Sequence, residues 1–394
     1  HVYARSPDYV ARELDWMKSV GINTYFPLAF ASGRVNWPSE RLPDTRALYG
    51  TATPVDAAVR GGDERGIATH LYFILGFVGF LEDAWSAPEL RQHPEWDVVG
   101  ATGKGTLTGA GGTASSWGTL LWWDLGHPEV QERVLAAIAE ALDRYPTAEG
   151  IHLDYIRSAH SGGCFSPTCL ARFEAATGVR LPDSLADAAA RAGYIRAHLA
   201  DRYTAWRAGE ITELVRRIRR LVDEKRPGAV LSAAVFAGAD GAYRNVFQDW
   251  RRWAAEGLVD AVYPMFYGDA RARIGISAYL TELFGDLDRR AAALRRRRAA
   301  VVLGLQTAPY DAMAPDVAAQ AIESALASGA DGVALQMLPY WWHEQYAEFR
   351  RSYAPRSDPW PPLWNYDAVL RQIFLSAPPP GTPQAQPSAR PASR

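Results

Sequence analysis

Short apolar runs rich in β-branched and aromatic residues recur along the chain, and most follow a helical pattern that ends in glycine. Helices commonly stop at a glycine in the left-handed conformation, so a helical period, a glycine and a β-rich run together mark a helix-to-strand joint. Gly21 precedes such a run at 22–30, Gly66 one at 67–75, Gly150 one at 151–157 and Gly257 one at 258–267, while Gly329 and Gly332 introduce 333–338. Three further strands are predicted at 120–125, 229–236 and 300–307, where the glycine signal is less sharp.

Between these runs the apolar positions shift to a helical period. From Pro7 to Val20, Ser6 can cap, Pro7 suits the first helical position, and Val10, Leu14 and Met17 share a face. From Pro128 to Tyr145, Val130, Val134, Ile138 and Leu142 recur every fourth position. Further helices are predicted over 211–224, 247–256, 276–298 and 315–328. Eight strands alternating with helices imply a parallel sheet closed into a (β/α)₈ TIM barrel, an α/β fold, with long loops after the second and fourth strands. The barrel is assigned to residues 1–376, and the Pro/Ala-rich segment 377–394, with little to bury, to a disordered tail.

Composition narrows the function classes. With 394 residues and 48% hydrophobic content the chain can bury a large core, and a formal net charge of -2 gives no electrostatic footprint for nucleic acid. No run approaches the length of a transmembrane helix. The glycine-rich stretch 100–118 lacks phosphate-loop spacing and reads as a flap over the barrel mouth. For Cys164 and Cys169 a disulfide and two free thiols are both open, and the disulfide is favoured; zinc needs two more ligands than the loop offers.

Reacting groups of such barrels sit at the carboxyl ends of strands and in the loops beyond. Alternation turns His152 and Asp154 of the expected fourth strand inward, and likewise His70 and Tyr72 of the second and Tyr263 and Tyr267 of the sixth. A carboxylate buried in an apolar strand is costly unless paired, so Asp154 is read as functional, against the alternatives of a turn cap or a pair with Arg157. Aromatic residues at Trp85, Trp96, Trp117, Trp122 and Trp123 fit either sugar stacking or anchoring; the run Tyr340-Trp-Trp342 is the best subsite candidate.

At Gly150-Ile-His-Leu-Asp-Tyr-Ile-Arg157, Gln248-Asp-Trp-Arg-Arg-Trp253 and Gly257-Leu-Val-Asp-Ala-Val-Tyr-Pro-Met-Phe-Tyr267 the chain resembles the glycosyl-hydrolase-10-like barrel family of bacterial proteins. Asp124-Leu-Gly-His-Pro-Glu-Val130 and the insert running from Cys164 to Gly178 are similar to the family as well. The resemblance spans about residues 1 to 350 and implies a hydrolase acting on bacterial cell-wall or extracellular polysaccharide, often secreted, periplasmic or at the cell surface. It places Asp154 at the catalytic position. Where relatives carry a small polar residue after Pro-Met, this chain has Phe266.

Glycoside hydrolysis usually needs a second carboxyl group. Candidates beyond other strand ends are Asp240, Asp269, Asp311 and Glu344; Asp269 comes first, because Gly268 lets the chain turn it over the mouth. Asp260 opens a strand on the stability face, and Asp124 reads as a helix cap. Substrate contacts are expected from His70, Tyr72, His152, Arg157, Tyr263, Tyr267, Gln306, Gln336, Trp341 and Trp342, with no cofactor. Two rivals stand beside this reading: a metal-dependent hydrolase using His70, His152 and Asp154, and a non-catalytic carbohydrate-binding barrel.

Overall fold

The structure, a computed structural model, describes residues 7–50, 53–109, 114–115, 118–160, 163–267, 275–306, 313–336 and 366–375. The expected tail 377–394 lies outside them. In chain order the strands are β1 (Thr24–Tyr25), β2 (Leu28–Ala31), β3 (Arg34–Val35), β4 (Ala68–Ile74), β5 (Phe77–Phe80) and β6 (Ala114–Ser115). They continue with β7 (Gly118–Trp122), β8 (Gly150–Asp154), β9 (Val230–Phe236), β10 (Ala261–Met265), β11 (Ala300–Gln306) and β12 (Gly332–Gln336).

The fold is mixed α/β, built on a curled, mostly parallel sheet ordered β12-β11-β10-β9-β8-β4-β2-β3, with β1 also beside β4. Only the β2–β3 pair is antiparallel in this sheet. Parallel neighbours need a crossover, and helices supply it. The helix Pro54–Arg65 shows how the local sequence sets one: Thr53 Oγ1 accepts from Asp56 N at 3.3 Å and Thr53 N donates to Asp56 Oδ2 at 3.0 Å. It ends at Gly66 with φ of 66°. The helices Pro7–Ser19, Pro128–Arg144, Trp250–Glu256, Ile276–Ala293 and Pro315–Ala327 answer the predicted periods, and Ala200–Lys225 contains the expected 211–224. Ile151 and Leu153 of β8 join Val134 and Ile138 of Pro128–Arg144 in the main core, so that strand is buried on both faces.

One predicted barrel strand is elsewhere. The run at 120–125 contributes β7 to a separate antiparallel sheet ordered β5-β7-β6, and β8 pairs directly with β4, Tyr72 opposite His152 and Ile74 opposite Asp154. Alternation marks a strand but not its partner; Trp122 leaves the main core for a small cluster with Val98 and Ala159. Counting β1 and β2 as one strand broken at Phe26-Pro27, Asp154 ends the third parallel strand, not the fourth. Among the described residues no ladder joins β12 to β1 or β2.

Asp124 is not a helix cap either. Buried beyond β7, it receives Arg172 Nη2 at 2.7 Å and Arg207 Nη2 at 2.9 Å. Burial alone raises its pKa, but the charges of Arg207 and Arg172 outweigh that and hold the carboxyl well below its usual range. Asp260 keeps the structural role assigned to it, accepting from Arg219 Nη1 and Leu231 N, both at 2.8 Å.

Candidate active site

The carboxylate of Asp154 sits where the central sheet runs out. Its Oδ2 accepts the hydroxyl of Tyr72 from the neighbouring β4. Its Oδ1 accepts Tyr155 N at 2.6 Å and faces Arg157 Nη1 at 3.5 Å. The turn that makes this cradle holds Tyr155 at φ 51°, a left-handed conformation unusual for an aromatic residue. Gly76, just past β4, lies against the same turn: a Cβ there would come within 2.7 Å of the carbonyl oxygens of Arg157 and Tyr155. Glycine lets Gly76 N reach Tyr155 O at 2.9 Å and extends the β4–β8 contact past Asp154.

Arg157 is buried to 5% exposure, its guanidinium 4.1 Å from the Tyr155 ring centre and 4.5 Å from that of Phe236. Two rings fix the plane of the cation beside the carboxylate. Three donors face Asp154, and the arrangement suits a nucleophile or a base, one step of glycosidic cleavage.

Beneath it lies a neutral aromatic layer. His152 Nδ1 pairs with Ser232 Oγ at 2.8 Å, and its ring stacks on Tyr72 with centroids 5.6 Å apart. Phe26 and Tyr263 meet it edge-on at 4.7 and 4.8 Å. Burial pushes His152 down to about 3, with His70 adding to it, and burial pushes His70 down to about 4. Tyr263 is pushed up to about 12 by burial. Tyr267 is raised by burial first and by the charge of Asp154 second. Ser232 and Phe26 escaped the sequence reading, although a serine at an inward position of an apolar strand is a legible signal.

The profile of the family described as Glycosyl hydrolase-like 10 matches residues 5–308. The chain belongs to that family. It is 25% identical over 287 residues to the Glycosyl hydrolase DigH of Escherichia coli (strain K12), a match covering 65% of this chain and 56% of that protein. The DigH of Shigella flexneri matches to the same extent. The chain thus spans little more than half the length of these relatives. Among solved structures, the PgaB (BpsB) glycoside hydrolase domain from Bordetella bronchiseptica superposes with a TM-score of 0.62 at 14% identity, over 89% of this chain and 94% of that one. A beta-galactosidase from the psychrophilic Marinomonas ef1 gives 0.58 at 12% identity, over 85% and 53%. At these identities the likeness is one of fold, and it is TIM-barrel-like.

Within this family member the other expected site residues separate. Gln306 and Gln336 end β11 and β12 opposite one another in register. Asp240 lies on the helix Ala239–Val246 with its side chain 81% exposed and paired with Arg251, turned to solvent. Asp269, Asp311, Glu344, Trp341 and Trp342 lie outside the described residues. Trp96 and Trp123 are anchors: Trp96 Nε1 donates to Glu129 Oε2 at 2.8 Å, and Trp123 Nε1 to Leu75 O at 2.6 Å.

The favoured disulfide is absent: Cys164 and Cys169 are free, buried thiols, hydrogen-bonded to one another. Their loop is held without a covalent link, because Tyr203 OH donates to Cys164 O at 2.6 Å and accepts from Cys164 N at 3.0 Å. As for a metal, His70, His152 and Asp154 do not bring ligand atoms within 4.8 Å of one another among the described residues. Asp124, Cys164 and Cys169 do. There, however, Arg172 and Arg207 already occupy both carboxylate oxygens, and their charges oppose a cation.

Proposed function

We propose that the chain is a glycoside hydrolase cleaving an O-glycosidic bond in a bacterial cell-wall or extracellular polysaccharide, with Asp154 as nucleophile or base. The observation that carries this reading is the placement of Asp154: a buried carboxylate at the carboxyl end of a parallel strand, held by Tyr72, Tyr155 and Arg157. Tyr155, the residue after Asp154, and Phe77, ring centroids 5.3 Å apart and both half-buried, suit the apolar face of a sugar ring. Asp269 remains the first choice for the proton donor, with Glu344 behind it, and Trp341 and Trp342 the choice for a sugar subsite. Such a substrate lies outside the cytoplasm, and cell fractionation tests whether the protein does too.

The test is a screen of bacterial polysaccharides and peptidoglycan glycan strands for released reducing ends, run beside Asp154→Asn. The amide keeps the shape but not the nucleophile, so the variant should fold normally and lose at least ~100-fold in turnover. Near-normal turnover in that variant removes Asp154 from the chemistry, and glycan binding without turnover in the parent makes the protein a binding barrel.

A further inference from the structure

Gln248 follows the helix Ala239–Val246 and is fully buried. Its Oε1 accepts Phe236 N at 2.9 Å, and its Nε2 donates to Ala234 O at 3.3 Å and Ile156 O at 3.5 Å. One amide therefore joins the carboxyl end of β9 to the residue between Tyr155 and Arg157. A parallel tie lies next to it, Ser158 N donating to Val246 O at 3.0 Å. These three bonds need an acceptor and two donor directions on one planar head, which among uncharged side chains only an amide supplies.

Two of the segments so joined carry a residue in the left-handed region, as do Ser32, Ala87 and Arg295 elsewhere. Tyr155 has φ of 51° and Phe247, the residue before Gln248, has φ of 59°. A bulky residue in the left-handed region is strained and persists where its surroundings over-determine it. Phe236, whose amide Gln248 receives, supplies one of the two rings that enclose Arg157; Tyr155 supplies the other. Both walls of the guanidinium slot are thus referenced to a single side chain.

We infer that Gln248 is a positioning residue that aligns Tyr155, Phe236 and Arg157 around Asp154 while touching neither the carboxylate nor the substrate. The inference rests on the catalytic reading of Asp154 for its effect on turnover, but the alignment itself is observable without substrate. A guanidinium held between two rings has upfield-shifted, slowly exchanging N–H signals. In side-chain nitrogen NMR spectra assigned with Arg157→Lys, Gln248→Met should move the Arg157 signals to the range of exposed arginines while the rest of the spectrum stays folded. On a glycan that the protein hydrolyses, Gln248→Met should lower kcat about 10-fold with KM within about twofold, since the interaction lost acts on the reacting group. In the Arg157→Lys background the same change should cost little more, because residues acting as one unit are not additive. Unmoved Arg157 signals in folded Gln248→Met, or kinetic losses that multiply independently, overturn the inference. Should Gln248→Met fail to fold, Gln248→Glu, which keeps the acceptor for Phe236 N and loses the donors, is read by the same signals. A parent protein that hydrolyses no glycan, with Arg157 signals displaced in Gln248→Met, upholds the alignment and sinks the hydrolase reading instead.

Discussion

The phenol of Tyr72 on β4 donates to the carboxylate of Asp154 on β8 across a parallel ladder in which Ile74 and Asp154 are in register. Tyr72 is held in its protonated form, by burial first and by the charge of Asp154 second, so it stays a donor throughout the working range. A hydrogen bond to a charged group contributes about 1.5–3 kcal/mol, so Tyr72→Phe should lower kcat by roughly 10- to 100-fold if that carboxylate reacts. Steady-state kinetics on whichever glycan the screen identifies decides it; an unchanged kcat places the bond outside the chemistry.

The two histidines under the site make stability depend on pH. His70 and His152 have folded values of about 4 and about 3, depressed by burial from the ordinary 6.5. Between those limits the unfolded chain binds a proton at each position and the folded chain does not, so stability is full above about pH 7 and falls as the pH drops through 6.5. At pH 5 each contributes a loss of about 2 kcal/mol. Chemical denaturation at pH 7 and pH 5 should show the decline, and His152→Gln, which can still bond Ser232, should remove about half of this contribution. An identical pH slope in the variant means that His152 takes up its proton as readily in the folded protein as in the unfolded chain.

The strand-helix rhythm was legible because parallel strands buried on both faces leave dense apolar runs, and because helix ends spend glycine. That logic found β8, β10 and β12 by their glycines and put Asp154 at a strand end. It could not tell that β7 pairs with β5, since ladder partners are set by long-range packing around Trp122 and not by local alternation. It also gave Gln248 no role beyond a place in a family-like motif, because its three partners lie 12, 14 and 92 positions away. Cys164 and Cys169 misled for a related reason: short spacing suggests a staple, whereas the loop is already fastened by Tyr203, 39 positions from Cys164.

The free thiols give the last prediction. Cys164 and Cys169 are both at 0% exposure, and Cys169 is raised well above the usual thiol range, by burial first and by its hydrogen bond to Cys164 second. Alkylation requires a thiolate that a reagent can reach, and Cys169 offers neither access nor charge. Cys164 has a lowered value, because the hydrogen bonds from Cys169 and Ser166 and the charge of Arg207 together outweigh its burial, but access still fails. Native protein treated with iodoacetamide should therefore keep its mass over hours. The same treatment in denaturant, with no reductant at any stage, should add two labels per chain. One label or none after unfolding contradicts the dithiol state. Rapid labelling of the native protein instead means that the Cys164 loop opens, and Tyr203→Phe, which breaks its side-chain hydrogen bonds to Cys164, should then accelerate that labelling further.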